Sequence, residues 1–167
     1  MSREADAEPA RGSDTGPDTG PDTEIAMTPI GYVQTRYLRV QDAPPQATMA
    51  YGERGRIVVF DDFVAGLDGL RAGQYVWLLT WLHDQTDEEA APLRCVPRGW
   101  SDSGRTTGVY ATRTPNRHNR IGMSLVRLGG IGEGALLFEG VDLVHGTPVL
   151  DIKPYSTESD TPPELRD

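Results

Sequence analysis

Hydrophobic residues in this chain fall into short runs that glycine, proline or aspartate interrupt, a pattern typical of β-strands joined by turns. No stretch keeps the helical spacing of about 3.6 residues over three turns. One short helix is expected over Phe63–Leu70. Seven strands are predicted, over Ile30–Leu38, Arg56–Phe60, Tyr75–His83, Thr107–Thr112, Ser124–Leu128, Ala135–Val144 and Val149–Ile152.

The connections between these strands favour a compact β architecture. The glycine-rich segment Gly129–Gly134 separates two predicted strands and is expected to form a hairpin turn. Many short strands with glycine-rich turns are typical of a sandwich or a small barrel. The sequence therefore predicts a mostly β fold with one small barrel-like domain.

Charge divides the chain into a domain and two acidic tails. The formal net charge is −9, but seven acids against two arginines lie in residues 1–26, and four acids against one arginine lie in residues 156–167. Both segments lack the apolar surface that offsets the entropy lost on ordering. We expect disordered tails over 1–26 and 156–167, with a nearly neutral domain over 27–155. Such tails can serve solubility alone.

Several classes of protein and site are disfavoured by the sequence. A single cysteine, Cys95, excludes an intrachain disulfide and fits a reducing compartment, where a structural thiol is the simplest role. No signal peptide is visible, and the apolar run Tyr75–Leu82 is too short to cross a bilayer. We expect a cytoplasmic protein that does not bind a membrane. The histidines lack metal-ligand spacing, so no metal site is expected.

One segment, Arg105–Arg127, concentrates positive charge. It contains five arginines, one histidine and no acid, and Pro115 argues against a continuous helix. Arginines on a loop held by a rigid sheet suit recognition of carboxylate or phosphate, because guanidinium donates in a planar fork. The alternative is a solvated basic loop that pairs with Asp61, Asp62 and the acidic tails.

Two long stretches in this order resemble one known family. They are GVYATRTP at 108–115, followed by Arg117, Asn119 and IGMS at 121–124, and then GVDLVHGTPVLDIKPY at 140–155. They are similar to the TsaA/TrmO family of β-barrel methyltransferases, and the resemblance covers roughly residues 28–155. It implies S-adenosylmethionine as cofactor, a homodimer with a shared pocket, and methylation of threonylcarbamoyl-modified adenosine at position 37 of tRNA.

The resemblance also implies which residues form the site. Asp142 is expected to accept a hydrogen bond from the cofactor, and Arg113 to pair with a carboxylate or a phosphate. The implied cofactor-binding residues are Pro45, Gln46, His83, Asp84, Arg113, Met123, Asp142, Leu143, Val144 and His145. Candidates for a catalytic base are His118, Tyr110 and Asp84, and the implied substrate-binding residues are Arg117, His118, Asn119, Arg120 and Arg127.

The chain also departs from the family pattern in ways that leave the methyl acceptor open. Tyr75, Asp84 and His145 replace a histidine, a glutamine and an aspartate, and His118 and Arg120 replace prolines. Three functions are therefore compatible with the sequence. They are methylation of tRNA, methylation of a small metabolite, and binding of the cofactor or RNA without turnover.

Overall fold

A computed structural model describes residues 25–50, 52–84, 92–97 and 104–166. Within these residues, six strands close an antiparallel barrel in the order β1-β2-β7-β6-β3-β8, and β4 pairs with β5 in a separate two-stranded sheet. The strands are β1 Gly31–Gln34, β2 Arg54–Val59, β3 Tyr75–Trp81, β4 Arg94–Cys95, β5 Thr107–Gly108, β6 Ile121–Gly132, β7 Ala135–Glu139 and β8 Pro148–Pro154. Short 3-10 helices lie at Val40–Asp42, Ala47–Met49, Asp61–Leu67, Val109–Ala111 and Pro163–Leu165, and one α-helical turn, α1, lies at Thr157–Asp160.

Alternation of side chains along the strands places the core inside the barrel. In β2, Ile57 and Val59 are buried while Arg54 and Arg56 face solvent, as the two-residue period of a strand requires. The largest fully buried side chains are Phe138, Ile57, Leu78, Leu128 and Leu136. Burying a side chain of this size contributes about 1.5–3 kcal/mol. The predicted mostly β fold and small barrel are thus confirmed.

Gly55 leaves the volume that the side chain of Phe138, the largest of these, occupies in the core. A Cβ atom placed on Gly55 would lie 2.5 Å from the ring of Phe138, which is paired with Gly55 across β2 and β7. No real Cβ contact is that short, so the ring occupies the volume that any other residue at position 55 would need. The small residue in β2 and the large one in β7 therefore fit each other inside the barrel.

Several predicted strands end earlier than expected, among them the one predicted over Ile30–Leu38, which ends at Gln34, and the one predicted over Tyr75–His83, which ends at Trp81. The strand predicted over 107–112 ends at Gly108, because Thr112 turns back through its N–H and its hydroxyl to the carbonyl of Val109, at 3.1 and 2.9 Å. The strand predicted over 135–144 ends at Glu139, because Gly140 adopts φ of 90° and donates its N–H to Glu53. Because these last two strands end early, the residues that follow them are in loops and line the site described below.

Other boundaries also differ from the sequence prediction. The helix expected over 63–70 is a 3-10 helix over Asp61–Leu67. Most of the glycine-rich segment belongs to β6, which shifts register between Leu128 and Gly130 and runs to Gly132, so that the turn occupies only residues 133–134. The short strand β4 had no sequence signal, since two residues are too few for a periodic pattern.

Residues after 155 make polar contacts with the barrel and with one another. Asp160 accepts a hydrogen bond from the indole N–H of Trp77 at 3.1 Å, and the ring of Tyr155 packs edge-on against that indole. The guanidinium of Arg166 donates to the carbonyl groups of Thr161 and Glu158. These polar contacts hold a segment that has little apolar surface. The predicted tail over 1–26 lies outside the described residues up to residue 24.

Replacing Gly55 with alanine is expected to lower the free energy of unfolding by about 1–3 kcal/mol, because the methyl group displaces the Phe138 ring. The matched control is Gly132→Ala, since a Cβ there meets no atom within 4 Å. Urea denaturation of both variants checks this prediction. Equal stability of the two variants would show that the ring can move without cost.

Candidate ligand pocket at one end of the barrel

One end of the barrel opens into a pocket of about 460 Å³. The ends of β1, β3 and β7 and the beginnings of β6 and β8 meet there, because these strands are antiparallel neighbours. The walls come from four loops and the first residues of β6. The lining residues are Val40, Ala43, Pro44, Pro45, Gln46, Leu82, His83, Asp84, Thr112, Arg113, Thr114, Pro115, Arg117, Ile121, Gly122, Met123, Ser124, Asp142, Leu143, Val144 and Thr147.

A partly buried carboxylate is the main polar feature of this pocket. The hydroxyl of Ser124 donates to Oδ1 of Asp142 at 2.7 Å, which ties β6 to the loop after β7. Burial raises the pKa of Asp142 above its usual value, although hydrogen bonds from Ser124 and from the backbone of Ala47 and of Asp142 itself oppose that shift. Burying a carboxylate costs stability, so Asp142 in this cavity wall is a candidate ligand-binding residue.

A second polar atom in the wall has no partner among the described residues. Nδ1 of His83 is buried without a hydrogen bond, while the backbone N–H of His83 donates to Trp81 at 2.9 Å. An unsatisfied buried nitrogen costs about 1–3 kcal/mol, and a ligand that pairs with it recovers that cost. Asp142 and His83 therefore give the pocket two polar contacts within a largely apolar lining.

Arg117 organises the basic loop that forms another wall. Its Nη1 group donates to the carbonyl oxygens of Val109 at 3.2 Å, Thr112 at 2.9 Å and Thr114 at 3.5 Å. Its guanidinium also lies 5.8 Å from the centre of the Tyr110 ring, within cation–π range. Arg117 thus closes the loop on itself and holds Arg113, which is exposed, at the pocket.

The structure brings together most of the residues implied as cofactor-binding. Nine of the ten line the pocket, and only His145 does not. His145 follows Val144 in the loop but faces a second, shallow concavity on the outer wall, with Arg36 and Arg56. Within the family motif over 140–155, neighbouring residues therefore face different surfaces.

The implied substrate and catalytic residues are more dispersed. Arg117 and Asp84 line the pocket, whereas His118, Asn119 and Arg120 form a turn beside it. Tyr110 is 76% exposed beneath Arg117, and Arg127 lies on the outer wall with its Nη1 3.6 Å from Glu139. Of the three candidate bases, only Asp84 is part of the pocket wall.

The turn before β6 explains one departure from the family pattern. Arg120 has φ of 52°, in the left-handed region, and its N–H donates to the carbonyl of Arg117 at 3.1 Å. Proline has φ near −65° and no N–H, so it fits neither feature. This turn in its present form therefore requires a residue other than the proline usual in the family.

Two buried polar residues of the pocket were missed by sequence reasoning. Ser124 and Thr147 are buried and line it, and Thr147 donates its hydroxyl to Val144 at 2.8 Å. Ser124 ends the motif IGMS, so the motif itself was the available signal, but its pairing with Asp142 depends on the strand register. No cluster of metal ligands occurs among the described residues. In the same part of the chain, no helix has the length and apolarity needed to span a membrane.

Fold and site together define a class: a small closed β-barrel with a ligand-sized pocket between the loops at one end. The family model for the tRNA-methyltransferase O N-terminal domain matches residues 32–161. The chain belongs to this family of S-adenosylmethionine-dependent methyltransferases, which confirms the resemblance noted in the sequence.

Similar proteins come from bacteria, archaea and mammals. A putative S-adenosylmethionine-dependent methyltransferase RcsF of Pseudomonas aeruginosa is 37% identical over 84% of this chain and 61% of its own length. A probable S-adenosyl-L-methionine-binding protein of Methanothermobacter thermautotrophicus is also 37% identical, over 83% of this chain and 95% of its own. The human tRNA (adenine(37)-N6)-methyltransferase is 35% identical over 80% of this chain and 31% of its own length.

The fold is shared with solved structures. The crystal structure of TrmO from Pseudomonas aeruginosa superimposes with a TM-score of 0.67 and 37% identity, covering 86% of this chain and 61% of that one. The chain thus spans about three fifths of the length of the Pseudomonas relatives and nearly all of the archaeal one.

Replacing Arg117 with alanine is expected to release the loop over 109–117, because three carbonyl groups lose their shared donor. We expect hydrogen exchange to quicken at the amides of this loop, with a loss of about 1–2 kcal/mol in stability. Arg71→Ala serves as the control, since Arg71 is exposed and outside the pocket. Unchanged exchange in the loop would contradict the role assigned to Arg117.

Replacing Asp142 with asparagine is expected to change how stability depends on pH. Because the folded protein raises the pKa of Asp142, this carboxyl favours folding most below its ordinary value of 3.8, and the benefit is lost as pH rises through the raised pKa. The asparagine keeps an oxygen that accepts from Ser124 but carries no charge. The variant should therefore gain stability over the unmodified protein as pH rises from about 4 to 7. If the stability of the variant and of the unmodified protein changes with pH in parallel, the charge of Asp142 does not cost stability in the folded protein.

Proposed function

We propose that this chain transfers a methyl group from S-adenosylmethionine to threonylcarbamoyl-modified adenosine at position 37 of tRNA. The observation that carries this proposal is the pocket that places Asp142, His83 and Arg113 together in a chain of the tRNA-methyltransferase O family. Relatives named for the cofactor and for methylation of adenine 37 in tRNA support it.

The residues of the pocket fit the proposed cofactor. A volume of about 460 Å³ suits a ligand of this size. Its amino group and its sulfonium carry positive charge, which the carboxylates of Asp142 and Asp84 complement. The orphaned Nδ1 of His83 can pair with a further polar group. Pro44, Pro45, Leu82, Met123, Leu143 and Val144 supply apolar walls for an adenine ring and a thioether chain.

Each wall residue has a defined part in holding that ligand. Asp142 is fixed by Ser124 and accepts hydrogen bonds from an ammonium or ribose hydroxyl. Arg113, on the loop that Arg117 closes, pairs with a carboxylate or a substrate phosphate. His145, which faces the outer wall, is not part of this arrangement.

The reaction requires alignment more than acid or base strength. The cofactor supplies an electrophilic methyl group on a good leaving group. The chain aligns the acceptor nitrogen with that methyl group and excludes water through its apolar walls. Asp84 lines the pocket and is the residue we assign to removing the proton from the acceptor nitrogen. Tyr110 and His118 are exposed outside the pocket and are not needed for this step.

Two features around the pocket favour tRNA as the acceptor and a homodimer as the assembly. The departures at His118 and Arg120 lie outside the pocket lining, so they leave its walls as they are. Large apolar side chains at its edge stay exposed, namely Val40, Trp81, Tyr110, Ile121 and Met123. An exposed apolar rim is typical of a protein interface. We assign it to the homodimer that the family resemblance implies.

The direct test incubates the full chain with methyl-labelled cofactor and tRNA that carries or lacks the threonylcarbamoyl group. Label is expected only in the modified tRNA. Asp142→Asn should weaken cofactor binding about 10–100-fold in calorimetry, because a charged hydrogen bond contributes about 1.5–3 kcal/mol. Asp84→Asn should instead lower kcat with little change in cofactor affinity.

The control for both variants is Asp68→Asn, an exposed carboxylate outside the pocket. If label enters a small-molecule fraction but never tRNA, the proposed acceptor is wrong. If calorimetry detects no heat of cofactor binding, the proposed cofactor is wrong as well.

A further inference from the structure

The outer wall of the barrel carries a basic surface that the proposed reaction does not use. Alternate residues of neighbouring strands β1, β2, β7 and β6 face outward there. We call this surface the basic face. It consists of Gln34, Arg36, Arg54, Arg56, Leu137, His145 and Arg127, and all but Arg127 line one shallow concavity.

The cations of this face extend further into solvent than the acids beside them. Arg36 pairs with Glu53 at 2.8 Å, and their side chains are 69% and 36% exposed. Arg54 lies 3.4 Å from Glu139, with exposures of 80% and 25%. Arg127 shares Glu139, so one acid faces two arginines. The surface that a partner meets is therefore positive, in a domain whose net charge is nearly neutral.

Arg56 stands at the middle of the basic face without an ion pair among the described residues. It is exposed and is paired in register with Gln34 of β1 and Leu137 of β7. Arg54 and Arg56 are two residues apart on one strand, about 7 Å. That separation is comparable to the distance between successive phosphates of a nucleic acid strand.

Aromatic side chains lie at the end of the same outward row. Following Arg54 and Arg56 along β2, the row continues through Val58 to Phe60, which is 43% exposed. The ring of Tyr32, two residues before Gln34 in β1, lies 6.1 Å from the ring of Phe60. Asp61 and Asp62 follow and bound the face on that side.

We propose that the basic face binds an RNA strand, with Arg54, Arg56 and Arg127 on phosphates and Phe60 stacked on a base. A positive track beside exposed aromatic rings is how single strands are bound without sequence preference. The face adjoins the ligand pocket, because Val144 lines the pocket and the next residue, His145, lines the concavity. The assignment of this RNA to tRNA rests on the proposed function.

The test measures binding of a fluorescent anticodon stem-loop RNA by anisotropy over a range of salt concentrations. Arg56→Glu should weaken binding at low salt about tenfold and lower the slope of affinity against salt by about one phosphate contact. Phe60→Ala should weaken binding about tenfold with little change of the salt slope. Arg56→Gln, a milder change, should give an intermediate loss.

The matched control is Lys153→Glu, the same change of charge on β8, which lies across the barrel from β7. It should leave RNA binding unchanged, and cofactor binding by calorimetry should be unchanged in all four variants. Equal RNA affinity for Arg56→Glu and Lys153→Glu would overturn the proposal. So would a changed molecular mass of Arg56→Glu in light scattering with unaltered RNA affinity. The binding readout is independent of turnover, so failure of methyl transfer is a separate result.

Discussion

Closure of the barrel between its first and last strands is the constraint on which the site depends. β1 and β8 pair through only two residues each, Gly31 with Val149 and Tyr32 with Pro148. Two further hydrogen bonds support this junction. The N–H of Val33 donates to the carbonyl of Thr147 at 2.9 Å, and the N–H of Gly146 donates to the carbonyl of Val33 at 2.8 Å. On the other side of β1, Gly31 permits the close approach of β2, since a Cβ there would lie 2.2 Å from the carbonyl oxygen of Val58. Closure brings the loop after β1 against the loop after β7. The pocket exists because residues about a hundred positions apart meet there.

The pocket combines a cost in stability with a gain in binding. Asp142 is partly buried and held by Ser124. The strand register that places Ser124 opposite Leu78 also aims its hydroxyl at that carboxylate. His83 carries an unsatisfied nitrogen in the same wall. A core designed only for stability would contain neither group. Their presence in a cavity, beside a loop closed by Arg117, is what a preformed site for a charged polar ligand requires.

The sequence predicted the barrel and most of the candidate pocket for identifiable reasons. Strands such as Tyr75–Trp81 are short, mostly apolar runs, and the motifs over 108–124 and 140–155 contribute the walls. Features that depend on which residues meet in three dimensions could not be predicted from the sequence. Periodicity could not show that Gly140 and Thr112 end their strands, or that Arg117 binds its own loop. It also could not separate Val144 from His145, because the side on which a loop residue lies depends on its neighbours in space.

We infer that the loops at this end of the barrel bind S-adenosylmethionine through Asp142. A crystal structure of the chain with S-adenosylhomocysteine, the product left after methyl transfer, tests it most directly. We expect the product to lie in the pocket with a hydrogen bond to the carboxylate of Asp142 and contact with Leu143 and Met123. Electron density for the product at another surface, or a pocket that stays empty at saturating concentration, would contradict it.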